Sequence, residues 1–146
     1  AKAQRRKNMP ILVSKCLMGE NCRYKGDNCK NEKVLEAVRG ETVIAVCPEQ
    51  DGGLSTPRPP AEIVGDKIVN AEGKDVTKEY LAGAANALRL AKENNVSFCI
   101  LKAKSPSCGS GIVYDGSFTG KLTEGDGVTA KLLKENGFRV ISENDL

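Results

Sequence analysis

Three cysteines stand where a folded chain most readily arranges chemistry. Ile11-Leu12-Val13-Ser14 runs into Cys16, and Thr42-Val43-Ile44-Ala45-Val46 runs into Cys47. Phe98-Cys99-Ile100-Leu101-Lys102 runs into a Ser, Pro and Gly loop that carries Cys108. Each apolar run is too short for a helix and ends in breakers, the pattern of a buried parallel strand whose carboxyl end opens on a functional loop. If the three strands are parallel neighbours, their thiols meet at one sheet edge despite their separation in sequence. Converging thiolates call for a soft ligand. Zinc takes four ligands in a structural site, and three cysteines with a water would be an unusual catalytic one. A 4Fe-4S cube is fully ligated by four thiolates, so three leave one iron open, a Lewis acid able to take a substrate atom. The plainer reading of any one cysteine is a small buried hydrophobe, and Cys99, inside its strand, fits that reading.

Other groups near the thiols could share the work. Glu49 follows Cys47 by two residues, and a carboxyl in a partly dry cleft can carry a proton near neutral pH. Ser105 and Ser107 flank Pro106 and could orient substrate or water; Arg58, between Pro57 and Pro59, suits a fixed bidentate contact with a planar or anionic ligand. Cys22 and Cys29 complicate the count, because they could supply a missing ligand, bind a second metal or form a thiol pair. Having no strand to anchor them, they make poorer cluster ligands. Gly125-Asp126-Gly127 is too weak for a phosphate loop and reads as the start of a helix. The chain has no histidine, which removes Ser-His and Cys-His nucleophile pairs and every mixed Cys and His zinc site.

These residues need a scaffold, and the order of elements suggests one. Asn31 is a candidate N-cap for a helix over Glu32 to Arg39, stopped by Gly40. Glu62-Ile-Val64 and Lys67-Ile-Val69 flank Gly65-Asp66 as a tight hairpin. A long helix, Lys78 to Asn94, opened by Thr77, would bury Leu81, Ala84, Ala85, Leu88 and Ala91. A second hairpin is expected from Ile112-Val113-Tyr114 through a turn at Asp115-Gly116 to Ser117-Phe118-Thr119. A helix over Val128 to Asn136 and a strand over Phe138 to Ile141 end the chain. Asp51 to Pro60, rich in Pro and Gly, is neither helix nor central strand. Strands alternating with helices argue for an α/β fold, a single parallel sheet with helices on both faces, Rossmann-like, with inserted hairpins.

Length and composition bound the rest. At 146 residues the chain reads as one α/β domain over residues 9–146, preceded by a basic segment, residues 1–8, taken as a disordered arm or a cloning remnant. Lys2, Arg5, Arg6 and Lys7 produce the net charge of +3; without them 18 of the 22 basic side chains face 19 acidic ones. The folded part has no phosphate-tracking stripe, and with six aromatic residues it lacks a base-stacking platform for single strands, so nucleic acid is not an expected partner. No apolar run spans a membrane. Six cysteines without a secretory signal point to a reducing, cytoplasmic compartment.

The motifs also carry a resemblance. Cys16-Leu-Met-Gly19 with Cys22-Arg-Tyr24 and Gly26, then Cys47-Pro-Glu49 and Gly52-Gly-Leu-Ser-Thr-Pro-Arg-Pro-Pro60, occur in that order. Asp75-Val-Thr77, Lys104-Ser-Pro-Ser-Cys-Gly109, Tyr114-Asp-Gly-Ser-Phe118 and Gly125-Asp-Gly-Val-Thr129 follow. From Met9 to the end the chain closely resembles a family of small prokaryotic proteins, long known as a domain of unknown function, that includes thiouracil desulfurase. The resemblance implies a cytoplasmic α/β domain with an oxygen-sensitive 4Fe-4S cluster on three cysteines. Its non-ligated iron would capture the sulfur of a small thiolated nucleobase, and water would replace it. By motif, Cys16, Cys47 and Cys108 match the ligand positions, and Glu49 and Ser105 the catalytic groups; Arg58 and Ser107 are the expected substrate contacts. Cys29 matches nothing in the family pattern. The same cysteines could instead serve a non-enzymatic module that binds a cluster or nucleotide and responds to redox state.

Overall fold

A computed structural model describes residues 9–146; the expectation for residues 1–8 lies outside the described residues. Four strands form a parallel sheet in the order β2-β1-β5-β8, with β1 Ile11–Ser14, β2 Val43–Val46, β5 Phe98–Leu101 and β8 Val140–Ser142. The side chains alternate with the two-residue strand period. Ile11, Val13 and Ile100 face one core, with Val34 and Val38 at the helix α1 (Glu32–Ala37). Leu12, Cys99 and Leu101 face the other, against Ala87 and Ala91 of α3 (Thr77–Glu93) and Ala130 and Leu133 of α4 (Val128–Glu135). Helices therefore cover both faces, as the alternating pattern predicts. Burial of each full Leu side chain contributes about 1.5–3 kcal/mol, so β1 and β5 are the best anchored strands in the molecule.

This order places a switch point beside β1. The chain leaves β1 toward β2 on one side, then returns through α3 to β5 on the other. Loops diverge there, and a crevice opens beyond the carboxyl ends of the strands. Two antiparallel ribbons stand over it: β3 (Ala61–Val64) with β4 (Lys67–Asn70), and β6 (Ile112–Tyr114) with β7 (Leu122–Glu124). Among the described residues no helix is long and apolar enough to cross a membrane.

Several local expectations are corrected. Immediately after Cys47 lies a one-turn helix, α2 (Pro48–Asp51), with Pro48 at its first position, where its missing N–H costs nothing. This helix rests backbone to backbone on α3: a Cβ on Gly83 would collide with the Pro48 carbonyl oxygen, and one on Gly52 with the Glu79 carbonyl oxygen. That contact sets the rotation of α3. Its buried stripe is Tyr80, Gly83, Ala84, Ala87 and Ala91, while Leu81 is 53% exposed and Ala85 also faces solvent. The β6 strand pairs with Leu122–Glu124 rather than Ser117 to Thr119, so Asp115 to Lys121 form a wide loop instead of a two-residue turn. The first helix ends at Ala37, short of Arg39, and the last strand begins at Val140, after Phe138. Asn31 does cap α1, accepting the Val34 N–H at 3.0 Å, and the first hairpin has its expected turn at Gly65-Asp66.

Candidate metal centre

The three cysteines that follow the strands do arrive at one end of the sheet, lining a cavity of about 610 Å³. Cys16 sits in a 3-10 turn (Lys15–Met18) that extends β1; Gly19, with φ of 101°, closes that turn in a left-handed conformation suited to glycine. Cys47 is the residue before α2, its N–H held by the Asp51 carboxylate at 3.2 Å. Cys108 lies in the loop after β5, its N–H donating to Ser105 Oγ at 3.1 Å. All three are buried. A fourth thiol joins them, because Cys22 is buried in the same lining and its carbonyl accepts from the Cys47 thiol at 3.7 Å. Cys29 packs at the edge of that core without lining the cavity, and Cys99 is buried inside β5.

Three thiols of the lining, Cys22, Cys47 and Cys108, are pushed toward the protonated form. The Cys16 thiol beside it, helped by burial, pushes Cys22 up to about 12 despite the opposing pull of Cys47. The Cys22 contact and burial push Cys47 higher still, and burial raises Cys108 to about 12. A metal that takes these sulfurs must therefore displace protons. The donor set is soft throughout, which suits iron-sulfur chemistry and not a hard cation. Among the described residues no three Cys, Asp or Glu side chains close on a single ion position. Buried cysteines lining one cavity are the donor type that iron-sulfur clusters take.

Beside the thiols is a carboxylate with both oxygens committed. Glu49 Oε2 accepts from Arg58 Nε at 3.2 Å, Arg58 Nη2 at 3.0 Å and the Tyr80 hydroxyl at 3.0 Å. Its Oε1 accepts from Ser105 Oγ at 3.4 Å. Ser105 Oγ in turn accepts the N–H groups of Ser107 and Cys108, so the same hydroxyl touches Glu49 and shapes the cysteine loop. Burial, then the charge of Glu49, raises the Tyr80 phenol, which therefore stays a hydrogen-bond donor at every physiological pH. The Arg58 and Glu49 side chains are 5% and 18% exposed.

A family model described as 2-thiouracil desulfurase matches residues 11–145. The chain belongs to that family. A relative from Bacillus subtilis (strain 168), YbbK, described as uncharacterized, is 53% identical, over 93% of this chain and 97% of its own. A solved structure, the [4Fe-4S]-dependent thiouracil desulfidase TudS, superimposes with a TM-score of 0.90 at 44% identity, covering 95% of this chain and 93% of that one. The parallel sheet and its flanking helices are thus the fold of a desulfidase in the same family.

Within this family member, two residues stand differently from their expected substrate contacts. Arg58 spends all five of its N–H donors inside the protein, on Glu49, on the carbonyls of Cys22 and Ser55, and on Thr56 Oγ1. Ser107 is fully buried, its hydroxyl paired with Thr129 Oγ1 at 2.8 Å, and it does not line the cavity. One group in the site escaped sequence reasoning: Tyr80, whose one signal was a lone tyrosine in an alanine-rich stripe, where the hydroxyl needs a buried partner. Cys22, weighed in the sequence as a possible extra ligand, lies in the lining, and Cys29 does not.

Proposed function

We propose that the protein desulfurates a small thiolated nucleobase of the thiouracil type, using a 4Fe-4S cluster held by Cys16, Cys47 and Cys108. The observation that carries this reading is the meeting, in one cavity, of three strand-anchored thiols with the Glu49 and Ser105 pair. Such a cluster would be held by Cys16, Cys47 and Cys108 and would supply Lewis acidity toward a thiocarbonyl. The overall exchange is hydrolytic: carbon gains the oxygen of water, sulfur leaves as hydrogen sulfide, and nothing is oxidised. Glu49 Oε1 takes a proton from the attacking water, since Oε2 is already saturated by Arg58 and Tyr80. Ser105 positions that base, its hydroxyl donating to Glu49 Oε1 while it accepts the Ser107 and Cys108 N–H groups. Arg58 works indirectly, holding the carboxylate and the Cys22 carbonyl in place, while Ser107 and Thr129 brace the Cys108 loop from behind. Six thiols with no disulfide among the described residues suit a reducing, cytoplasmic setting.

Cys22 favours one rival reading. A fourth thiol on the cluster would close the open iron and leave a redox-responsive module without hydrolytic chemistry. Anaerobic reconstitution with iron and sulfide, followed by visible spectra with and without 2-thiouracil, separates the two. Uracil and sulfide released with a perturbed spectrum support the enzyme; a spectrum that ignores 2-thiouracil and disappears in C22A supports the module.

A further inference from the structure

We propose that Phe118 is the residue that selects a planar ring in this cavity, a role that rests on the desulfuration reading above and adds its specificity element. Only six residues of the chain are aromatic, and four of them, Tyr24, Tyr80, Tyr114 and Phe118, line the cavity. Two have their rings otherwise engaged. Tyr80 is buried with its hydroxyl on Glu49, and Tyr24 carries the Arg23 guanidinium and the Lys25 ammonium 5.5 and 5.7 Å from its centroid; Tyr114, in β6, is half-buried. Phe118 is 40% exposed.

Nothing about burial explains why a phenylalanine stands there, and its backbone argues against accident. Its φ is 59°, in the left-handed region where a bulky side chain is strained, so its placement requires a firm hold. Glu62 of β3 supplies the hold by accepting with one oxygen both the Gly116 N–H at 2.9 Å and the Phe118 N–H at 3.2 Å. Within the loop, Asp115 accepts the Ser117 N–H, and Ser117 and Thr119 share a hydroxyl contact. An exposed apolar ring, fixed by a carboxylate from the neighbouring ribbon and facing a cavity that ends at a soft metal site, is a stacking surface. Bases stack on aromatic side chains through their π-faces, without sequence-type readout. The chemical class it favours is a six-membered heteroaromatic thiocarbonyl over an open-chain thioamide. Glu62 is a positioning residue for the same surface.

The test measures binding of uracil by calorimetry to cluster-loaded protein, together with KM and kcat for 2-thiouracil. F118A is expected to weaken uracil roughly tenfold or more, the effect of one lost base stack, with the loss in turnover falling on KM. F118Y restores both, E62Q falls between, and F118L, which keeps bulk but loses the π-face, resembles F118A. Wild-type affinity in F118L overturns the proposal, as does a loss in F118A that falls on kcat with uracil binding intact. The two readings fail separately. Uracil bound through Phe118 by a protein inert toward 2-thiouracil would remove the reaction and keep the stacking surface. Active protein indifferent to Phe118 would do the reverse.

Discussion

The inner wall of the cavity and its mouth are built by opposite means. The wall is hung on β1, β2 and β5, hydrogen bonded in parallel register, with β1 and β5 buried and β2 half-buried at the edge, and it is locked by the backbone contact between α2 and α3. The mouth is made of two short ribbons, of which β7 is exposed along its whole length. Rigid elements hold reacting groups more exactly than loops do, so the thiols and Glu49 belong to the wall, and the ring contact belongs to the mouth. Changes in substrate preference can then arise on the ribbons without disturbing the metal site.

Substitutions can break that division, beginning with the wall. Cys47→Ala, and equally Cys16→Ala or Cys108→Ala, is expected to abolish the visible absorbance of the reconstituted cluster, because an iron-sulfur cluster depends on its thiolates. Cys99→Ala, buried but apart from the cavity, should keep the absorbance while losing some stability. An inverted result would move the ligand set away from the sheet edge.

Gly83→Ala comes next. Its Cβ would drive into the Pro48 carbonyl, and overpacking of this kind costs about 1–3 kcal/mol or more, roughly 2–4 °C in Tm for each kcal/mol at this chain length. Because α2 carries Glu49, turnover should fall further than stability alone explains; a thermal melt and a rate measured on the same sample check both.

Tyr80→Phe sharpens the picture by removing a single hydrogen bond to Glu49 Oε2. One bond to a charged group is worth about 1.5–3 kcal/mol, so kcat/KM should drop about tenfold or more with iron content unchanged. An equal loss of iron would mean that Tyr80 supports the cluster and not the carboxylate.

The smallest expected effect is on the outside of the site. Asp126 accepts the Gly111 N–H at 2.7 Å and pairs with Lys134 at 2.9 Å. Burial opposes its ionisation, but the Lys134 ammonium and the Gly111 N–H outweigh it and hold the carboxyl below its ordinary value of 3.8. A depressed carboxylate stabilises the fold above that value, and the contribution fades as pH falls through the folded pKa. Asp126→Asn should therefore lower Tm by a few degrees at neutral pH, and the gap from wild type should narrow in acid below about 3.8.

The same contrast explains what could be read in the sequence. The wall was legible, because a short apolar run followed by Gly, Pro or Ser has few structural meanings, and three such runs each end near a cysteine. The phase of α3 was not, because an alanine-rich helix looks apolar on several faces. A backbone contact with Pro48, invisible to periodicity, turned Tyr80 inward and Leu81 outward. Arg58 was legible as a fixed arginine, but what it grips depends on a fold that brings Glu49 and Cys22 to it. At the mouth, Asp115-Gly116 has the composition of a tight turn, yet the Glu62 carboxylate captures its backbone and widens the loop.

The most direct test of the central claim compares wild type with Glu49→Gln, both reconstituted anaerobically to the same iron and sulfide content, following uracil and hydrogen sulfide release from 2-thiouracil. The account predicts equal amounts of the two products from wild type, and a rate at least about a hundredfold lower from the variant, the usual scale of a lost general base. A fully loaded Glu49→Gln protein that turns over as fast as wild type would contradict it, and so would a loaded wild type that leaves 2-thiouracil intact.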